Sequence, residues 1–188
     1  DKFRLMHFGL INEFRHAPAF WEALAEAMAE NPEMQEALEV HLYGVMDDQI
    51  HHWFKNECPV ASFVELHEPV SHEKVLQLYT TAAVLLLFMN KSENAKGHIP
   101  GKLFEYLATE RPILALGDIN GDTAGIIAQC QAGVTCAWDD KVVIKETITR
   151  QFEAYLSKET VLQDSAARAA YSRVQLTGKL SELLNQIT

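Results

Sequence analysis

Three uninterrupted apolar runs limit most strongly what this chain can fold into: Ala83–Phe88 (AVLLLF), Pro112–Leu116 (PILAL) and Gly133–Ala137 (GVTCA). Each has the length of a strand, and none alternates with polar residues as a half-exposed strand would. Such runs suit strands buried on both faces, the situation of a parallel sheet covered by helices. Phe3–Phe8 (FRLMHF), Glu39–Tyr43 (EVHLY) and Ser62–Leu66 read as further strands. Segments of helical period lie between them. Pro18–Glu30 carries Phe20, Leu24, Ala27 and Met28 on one face and is expected to end at Asn31-Pro32. Gln49–Asn56 follows an Asp47-Asp48 cap, and Ser71 opens a helix bearing Val75, Leu76, Leu78 and Tyr79. Lys102–Thr109, Thr123–Gln131, Lys141–Leu156 (capped by Asp139-Asp140) and Val161–Gln186 complete the helices. This alternation predicts an α/β fold, a doubly wound, Rossmann-like parallel sheet of about six strands with helices on both faces.

The 188 residues suit a single domain, 1–188, or one lobe of a larger protein. Hydrophobic residues make up 48% and charged residues 22%, so long disordered tracts are not expected. Acidic residues outnumber basic ones 26 to 16, a net charge of −10, which argues against a bulk nucleic-acid surface. An anionic ligand would have to be held by a few local donors. The longest apolar run, Ala82–Met89, falls far short of the roughly 20 residues of a membrane span. No signal peptide is seen, and the direct opening into a strand suggests a fragment of a longer protein. Cys58, Cys130 and Cys136 are an odd number without a C-x-x-C pair and read as reduced thiols of a cytoplasmic protein.

Ligands of such sheets bind beyond the carboxyl ends of the strands. Two of those loops stand out. Gly9–Ala17 is polar and contains Arg15 and His16. Met89–Gly101 (MNKSENAKGHIPG) is long and polar, as functional loops often are, and is expected to become ordered on binding a ligand. Pro100-Gly101 then opens a helix whose first N–H groups suit an anion. Lys102 in its first turn opposes the helix dipole, a cost that a bound phosphate would offset. Glu105 follows one turn later on the same face. These two side chains suit a phosphate and a sugar hydroxyl; a Lys–Glu pair on a solvated face is the other reading. Arg15 offers a planar guanidinium for a phosphate, or pairs with Glu13 or another surface carboxylate. Adjacent His51 and His52 point about 100° apart on a helix, and His67 and His72 have no Cys or Asp at ligand spacing. They read as surface or core histidines, so no metal site is expected. No G-x-S-x-G, Walker A or G-x-G-x-x-G pattern occurs.

The run Lys102–Leu116, KLFEYLATERPILAL, resembles the donor-site segment of GT-B glycosyltransferases of the large, mostly retaining nucleotide-sugar family. Phe8-Gly9, Leu42-Tyr43-Gly44 and Gly121–Gly133 are similar to other pieces of its C-terminal domain. The resemblance implies strand order 3-2-1-4-5-6 and two Rossmann-like domains facing a cleft, of which this chain would be the donor-binding one. It implies transfer of a sugar from a nucleoside diphosphate to an acceptor, in cell-surface polysaccharide synthesis, with no metal or cofactor. Glu105 matches the second glutamate of the family's E-x7-E motif, which holds the donor ribose. Gly97 stands where the first would be, a departure shared by some members with the I-P-G-K-L-F-E-Y pattern. Leu10 follows Gly9 where relatives carry an arginine, and Arg15 takes the second basic position, against the diphosphate. The donor-binding set implied is therefore Gly9, Arg15, Gly101, Lys102 and Glu105. The partners implied are the nucleotide-sugar donor and an N-terminal acceptor domain outside this chain. Peripheral contact at the inner membrane face is left to the full-length protein. Two other readings remain: a sugar-nucleotide epimerase on the same fold, and a degenerate nucleotide-binding or scaffold domain, which Gly97 and Leu10 favour.

Overall fold

The computed structural model describes residues 2–92, 94–158 and 163–186. Its strands are β1 (Phe3–Phe8), β2 (Leu38–Tyr43), β3 (Val64–His67), β4 (Val84–Phe88), β5 (Ile113–Leu116) and β6 (Gly133–Cys136). All pair in parallel in one sheet of order β3-β2-β1-β4-β5-β6, the order that the family resemblance implied. Every residue of β4 and β5 is buried, as expected from their uninterrupted apolar runs; the third run departs from that expectation, because β6 lies at the sheet edge and only its Cys136 is buried.

The helices are α1 (Pro18–Glu30), α2 (Pro32–Ala37), α3 (Asp48–Asn56), α4 (His72–Tyr79), α5 (Lys102–Ala108), α6 (Asp122–Gln129), α7 (Lys141–Leu156), α8 (Ser165–Ala169) and α9 (Arg173–Gln186). One face of the sheet packs on α1, α2, α3 and α7, where Phe20, Trp21, Met34, Phe54, Ile148 and Phe152 are buried. Trp21 stacks edge-on against Phe54 at 4.9 Å, and Phe20 against Phe88 at 5.5 Å. The other face packs on α4, α5 and α6 through Tyr79, Leu103, Tyr106 and Ile127. Each large side chain buried in this way contributes about 1.5–3 kcal/mol.

Four other expectations, on caps and element boundaries, need correction. Asn31-Pro32 ends α1 but also starts α2: the Asn31 side chain accepts from the Met34 N–H at 3.1 Å, and Pro32 takes the first-turn position that lacks no partner. Ser62 lies in a short 3-10 turn, Ala61–Phe63, so β3 starts at Val64 and extends to His67. Asp47 precedes α3 without a side-chain cap bond, whereas Ser71 and Asp140 do cap α4 and α7. The single helix expected over 161–186 is two, α8 and α9, separated by a turn at Ala170–Ser172; residues 161 and 162 lie outside the described residues. Among the described residues, no helix is long and apolar enough to cross a membrane.

Candidate functional site

The strand order reverses direction between β1 and β4, so the crevice in which such sheets bind ligands lies beyond the carboxyl ends of these two strands. The chain leaves β1 at Gly9 with φ +122°, a conformation that favours glycine. The space is also taken: a Cβ on Gly9 would lie 2.8 Å from Lys102 Nζ. Lys102 reaches back from the first turn of α5 and donates a short hydrogen bond to the Phe8 carbonyl, the last of β1. Gly9 and Lys102 therefore form one unit, although 93 positions separate them.

Arg15 comes to the same place from the β1 loop. The loop turns at Asn12, whose carbonyl accepts from the Arg15 and His16 N–H groups at 3.0 and 2.9 Å. The Arg15 side chain donates to the Leu10 carbonyl at 3.0 Å and to Asn90 Oδ1 at 2.6 Å. Its pairing is thus with Asn90, not with Glu13. The Lys91 N–H donates to the Phe14 carbonyl at 2.7 Å, so the loops after β1 and β4 are clasped side by side. Further along, the loop over 89–101 contains a 3-10 turn, Ala95–Gly97, and its His98 carbonyl accepts from Thr123 Oγ1 at 2.8 Å. Glu93 in this loop lies outside the described residues.

The electrostatics follow from this packing. Burial lowers the pKa of Lys102 to about 8, repulsion from Arg15 adds to the shift, and Glu105 partly opposes it. Among the described residues, the two cations at the end of β1 lie near enough to repel each other, and Glu105 only partly offsets that repulsion for the lysine. His7 on β1 is fully buried beneath them. Its Nδ1–H donates to the Leu86 carbonyl at 3.1 Å, and burial, then the Lys102 charge, hold its pKa well below the ordinary value. It is a neutral histidine at physiological pH.

Glu105 lies on α5, one turn after Lys102. Its two oxygens accept from Tyr79 Oη at 2.9 Å and from His72 Nε2 at 3.0 Å. Its side chain keeps 34% exposure, and each oxygen retains a lone pair, so it can still accept from a diol. The Lys102–Glu105 pair, the alternative reading of these two residues, does not form; Lys102 bonds to backbone and Glu105 to α4. Gly101 is helical at φ −55°, ψ −35°, and a Cβ there meets nothing within 4 Å. The helix start offers fewer free donors than expected. Leu103 N–H donates to the Pro100 carbonyl at 3.0 Å and Phe104 N–H to that of Gly101 at 3.3 Å, and α5 has only seven residues. The tight first turn thus occupies two of its own amides. Gly97, at the position of the absent glutamate, also has open space around it.

The crevice thus combines Gly9, Arg15, Lys102 and Asn90, with Glu105 and its partners Tyr79 and His72 beside it. Asn90, Tyr79 and His72 carry no sequence signal of their own. Each became visible only when the strands brought distant loops together.

No protein-family model matches the sequence, and no curated protein matches it. Solved structures do. They define the class of the fold: the Rossmann-like half of GT-B glycosyltransferases, consistent with the C-terminal domain. WaaG, a glycosyltransferase involved in lipopolysaccharide biosynthesis, superposes with a TM-score of 0.65 at 16% identity, covering 90% of this chain and 43% of its own. S. aureus TarM, solved with UDP, gives 0.72 at 14% identity over 98% of this chain and 35% of its own. Anabaena HepE, solved in complex with UDP-glucose, gives 0.68 at 13% identity over 99% of this chain and 49% of its own. This chain therefore spans less than half the length of each of the three. At such identities the likeness speaks for the fold.

Proposed function

We propose that this chain is the donor-binding domain of a glycosyltransferase that moves a sugar from a nucleoside diphosphate to an acceptor. The observation that carries the reading is the approach of Lys102 and Arg15 at the carboxyl end of β1, in the switch-point crevice, where burial and Arg15 make the lysine's charge costly. A diphosphate relieves that cost. As the sugar leaves, charge grows on the diphosphate, and cations already fixed in position stabilise it without reorganising. Glu105, oriented by Tyr79 and His72, accepts from the ribose hydroxyls. Gly9 leaves room for the lysine, and Gly101 for the phosphates. The acceptor groove and the remaining catalytic groups belong to an N-terminal domain outside this chain, so the chain alone binds donor without turnover. Neighbours solved with UDP and UDP-glucose support a nucleotide-sugar ligand, and WaaG supports a role in cell-surface polysaccharide synthesis. The reading assigns the protein to the cytoplasm, with contact to the inner membrane face left to the full-length protein.

The test is a thermal-shift and calorimetric screen of UDP, GDP and ADP with their sugars. One diphosphate should bind, and its bare nucleoside should bind far less well. Arg15→Ala and Lys102→Ala should each cost the diphosphate about tenfold to a hundredfold, the worth of a charged hydrogen bond, and the nucleoside much less. Glu105→Gln should weaken both ligands alike, because it acts on the ribose. Equal losses for diphosphate and nucleoside in the two cation variants would remove the phosphate site from this crevice.

A further inference from the structure

On the side of β1 opposite β4, the strands β2 and β3 carry a second convergence of polar side chains. Val40 and Leu42 face the core of α1 and α3, so Glu39, His41 and Tyr43 face the other side of the sheet. The register sets His41 opposite Glu65 and Tyr43 opposite His67. Opposed residues of parallel strands share a face, and His41, Glu65 and His67 meet there. His41 Nδ1 lies 3.0 Å from His67 Nε2, and Glu65 Oε2 lies 3.5 Å from each. The three atoms form a nearly equilateral triangle. A tetrahedral ion bound at about 2.0–2.1 Å holds its ligand atoms about 3.3 Å apart, so an ion set slightly out of this triangle bonds all three at once. A fourth position remains for water.

The surroundings are those of a ligand set. His41 Nε2 is 3.5 Å from Glu39 Oε2, and Glu39 is held by Arg4 Nε at 2.9 Å. A carboxylate on the far nitrogen fixes the tautomer and leaves the near nitrogen's lone pair free for an ion. The His67 ring is stacked on Tyr43 with centroids 4.2 Å apart and planes 8° from parallel, which fixes its orientation. The side chains of His41, His67 and Glu65 are 12%, 29% and 61% exposed, so the triangle grades from the sheet face to solvent and an ion can enter.

We propose that His41, Glu65 and His67 bind a divalent transition-metal ion of the zinc class, which ties the edge strand β3 to β2. Two imidazoles and one carboxylate suit zinc and its borderline neighbours, whereas magnesium and calcium require oxygen ligands. Glu65 and His67 both lie on the edge strand β3 and His41 on the interior strand β2, so the ion fastens an edge strand, which has a neighbour on one side only. The site is separate from the proposed sugar-transfer chemistry and stands or falls independently of it.

The experiment is titration of the chelator-treated chain with Zn2+ by calorimetry and with Co2+ by visible absorption. One equivalent should bind, Co2+ should show the intense bands of four-coordination, and a hundredfold excess of Zn2+ over Kd should raise Tm by about 5–10 °C. Glu39→Gln should weaken binding about tenfold to a hundredfold, as removal of an orienting carboxylate does. Glu65→Gln and His67→Asn should weaken it further, and the exposed Glu65 variant keeps the test decisive if His67→Asn disturbs the fold. A His51→Asn/His52→Asn double variant should bind as the parent does. Absence of stoichiometric binding, unchanged binding in Glu65→Gln, or loss in the His51/His52 variant instead would each overturn the site. Nucleoside diphosphate affinity should be the same in Glu65→Gln as in the parent; a loss there would mean that the cluster serves the donor and is not a separate metal site.

Discussion

Lys102 is charged or neutral according to pH in the range where proteins are ordinarily handled, because burial and Arg15 bring its pKa down to about 8. A bound diphosphate restores the charged form. Below pH 8 the ligand meets a lysine that is already protonated; above it, binding must take up a proton. Diphosphate affinity should therefore fall as pH rises through 8, approaching tenfold per unit, while affinity for the nucleoside stays level. Calorimetry in buffers of different ionisation enthalpy would show the proton uptake at pH 8.5, and Lys102→Met should abolish it. The sign for stability is opposite. An unfolded lysine titrates near 10.4, so between about 8 and 10 the unfolded chain holds the extra proton and the ligand-free fold gains stability with pH. A second residue separates binding from folding. Gly101 is helical and has open space around it, so Gly101→Ala should stabilise the chain by about 0.4–1 kcal/mol through the unfolded state. If a phosphate packs against that backbone, the same change should weaken diphosphate binding. A stability gain with unchanged affinity would show that no ligand approaches Gly101.

At the scale of elements, the crevice depends on the loops after β1 and β4 holding each other. Asn90 bonds the Arg15 guanidinium, and the Lys91 amide bonds the Phe14 carbonyl. Asn90→Ala should leave the charge of Arg15 intact but free its orientation. The expected loss of diphosphate affinity is about threefold to tenfold, and smaller than that of Arg15→Ala, because the cation is kept and only its positioning partner is lost. Hydrogen exchange at the Lys91 amide should remain slow in the variant; fast exchange would mean that the whole clasp had opened and that the side chain's own role was not measured. This dependence on contact across the fold is also what limited the reading from sequence. The strands were legible because a run such as AVLLLF has no half-exposed alternative, and α5 because Lys102–Leu116 is a distinctive segment. The helix α2 was hidden by Pro32, which stops one helix and starts another with the same ring. The turn between α8 and α9 was hidden because the alanines and serines around 165–172 have no polar or apolar face to interrupt. Lys102, Arg15 and Glu105 could be singled out as candidates, but their partners could not. That Lys102 bonds the Phe8 carbonyl, that Asn90 fixes Arg15, and that His41 meets Glu65 and His67 all follow from strand order and register, which no local spacing records.

For the whole molecule, the difficulty is that an acidic chain is asked to bind an acidic ligand. Its net charge of −10 repels a diphosphate at long range, while in the proposed site Lys102 and Arg15 would attract it at contact. The two effects respond differently to salt. Long-range repulsion acts over the Debye length, about 30 Å at 0.01 M and 10 Å at 0.1 M, so modest salt removes most of it. The contact term is made by a lysine already withdrawn from solvent and an arginine bonded to Asn90 and Leu10, and is screened less. The association rate of a nucleoside diphosphate should therefore rise between 0.01 and 0.15 M salt, the reverse of what a basic surface funnel produces. The dissociation rate should change little over the same range, so affinity improves slightly before falling at higher salt. The bare nucleoside, which is neutral, should show neither trend and serves as the control. Stopped-flow measurement with both ligands reads the two rates directly. A diphosphate association rate that falls with salt would reveal an attractive field ahead of the crevice, and the binding site would then have to include cations beyond Lys102 and Arg15.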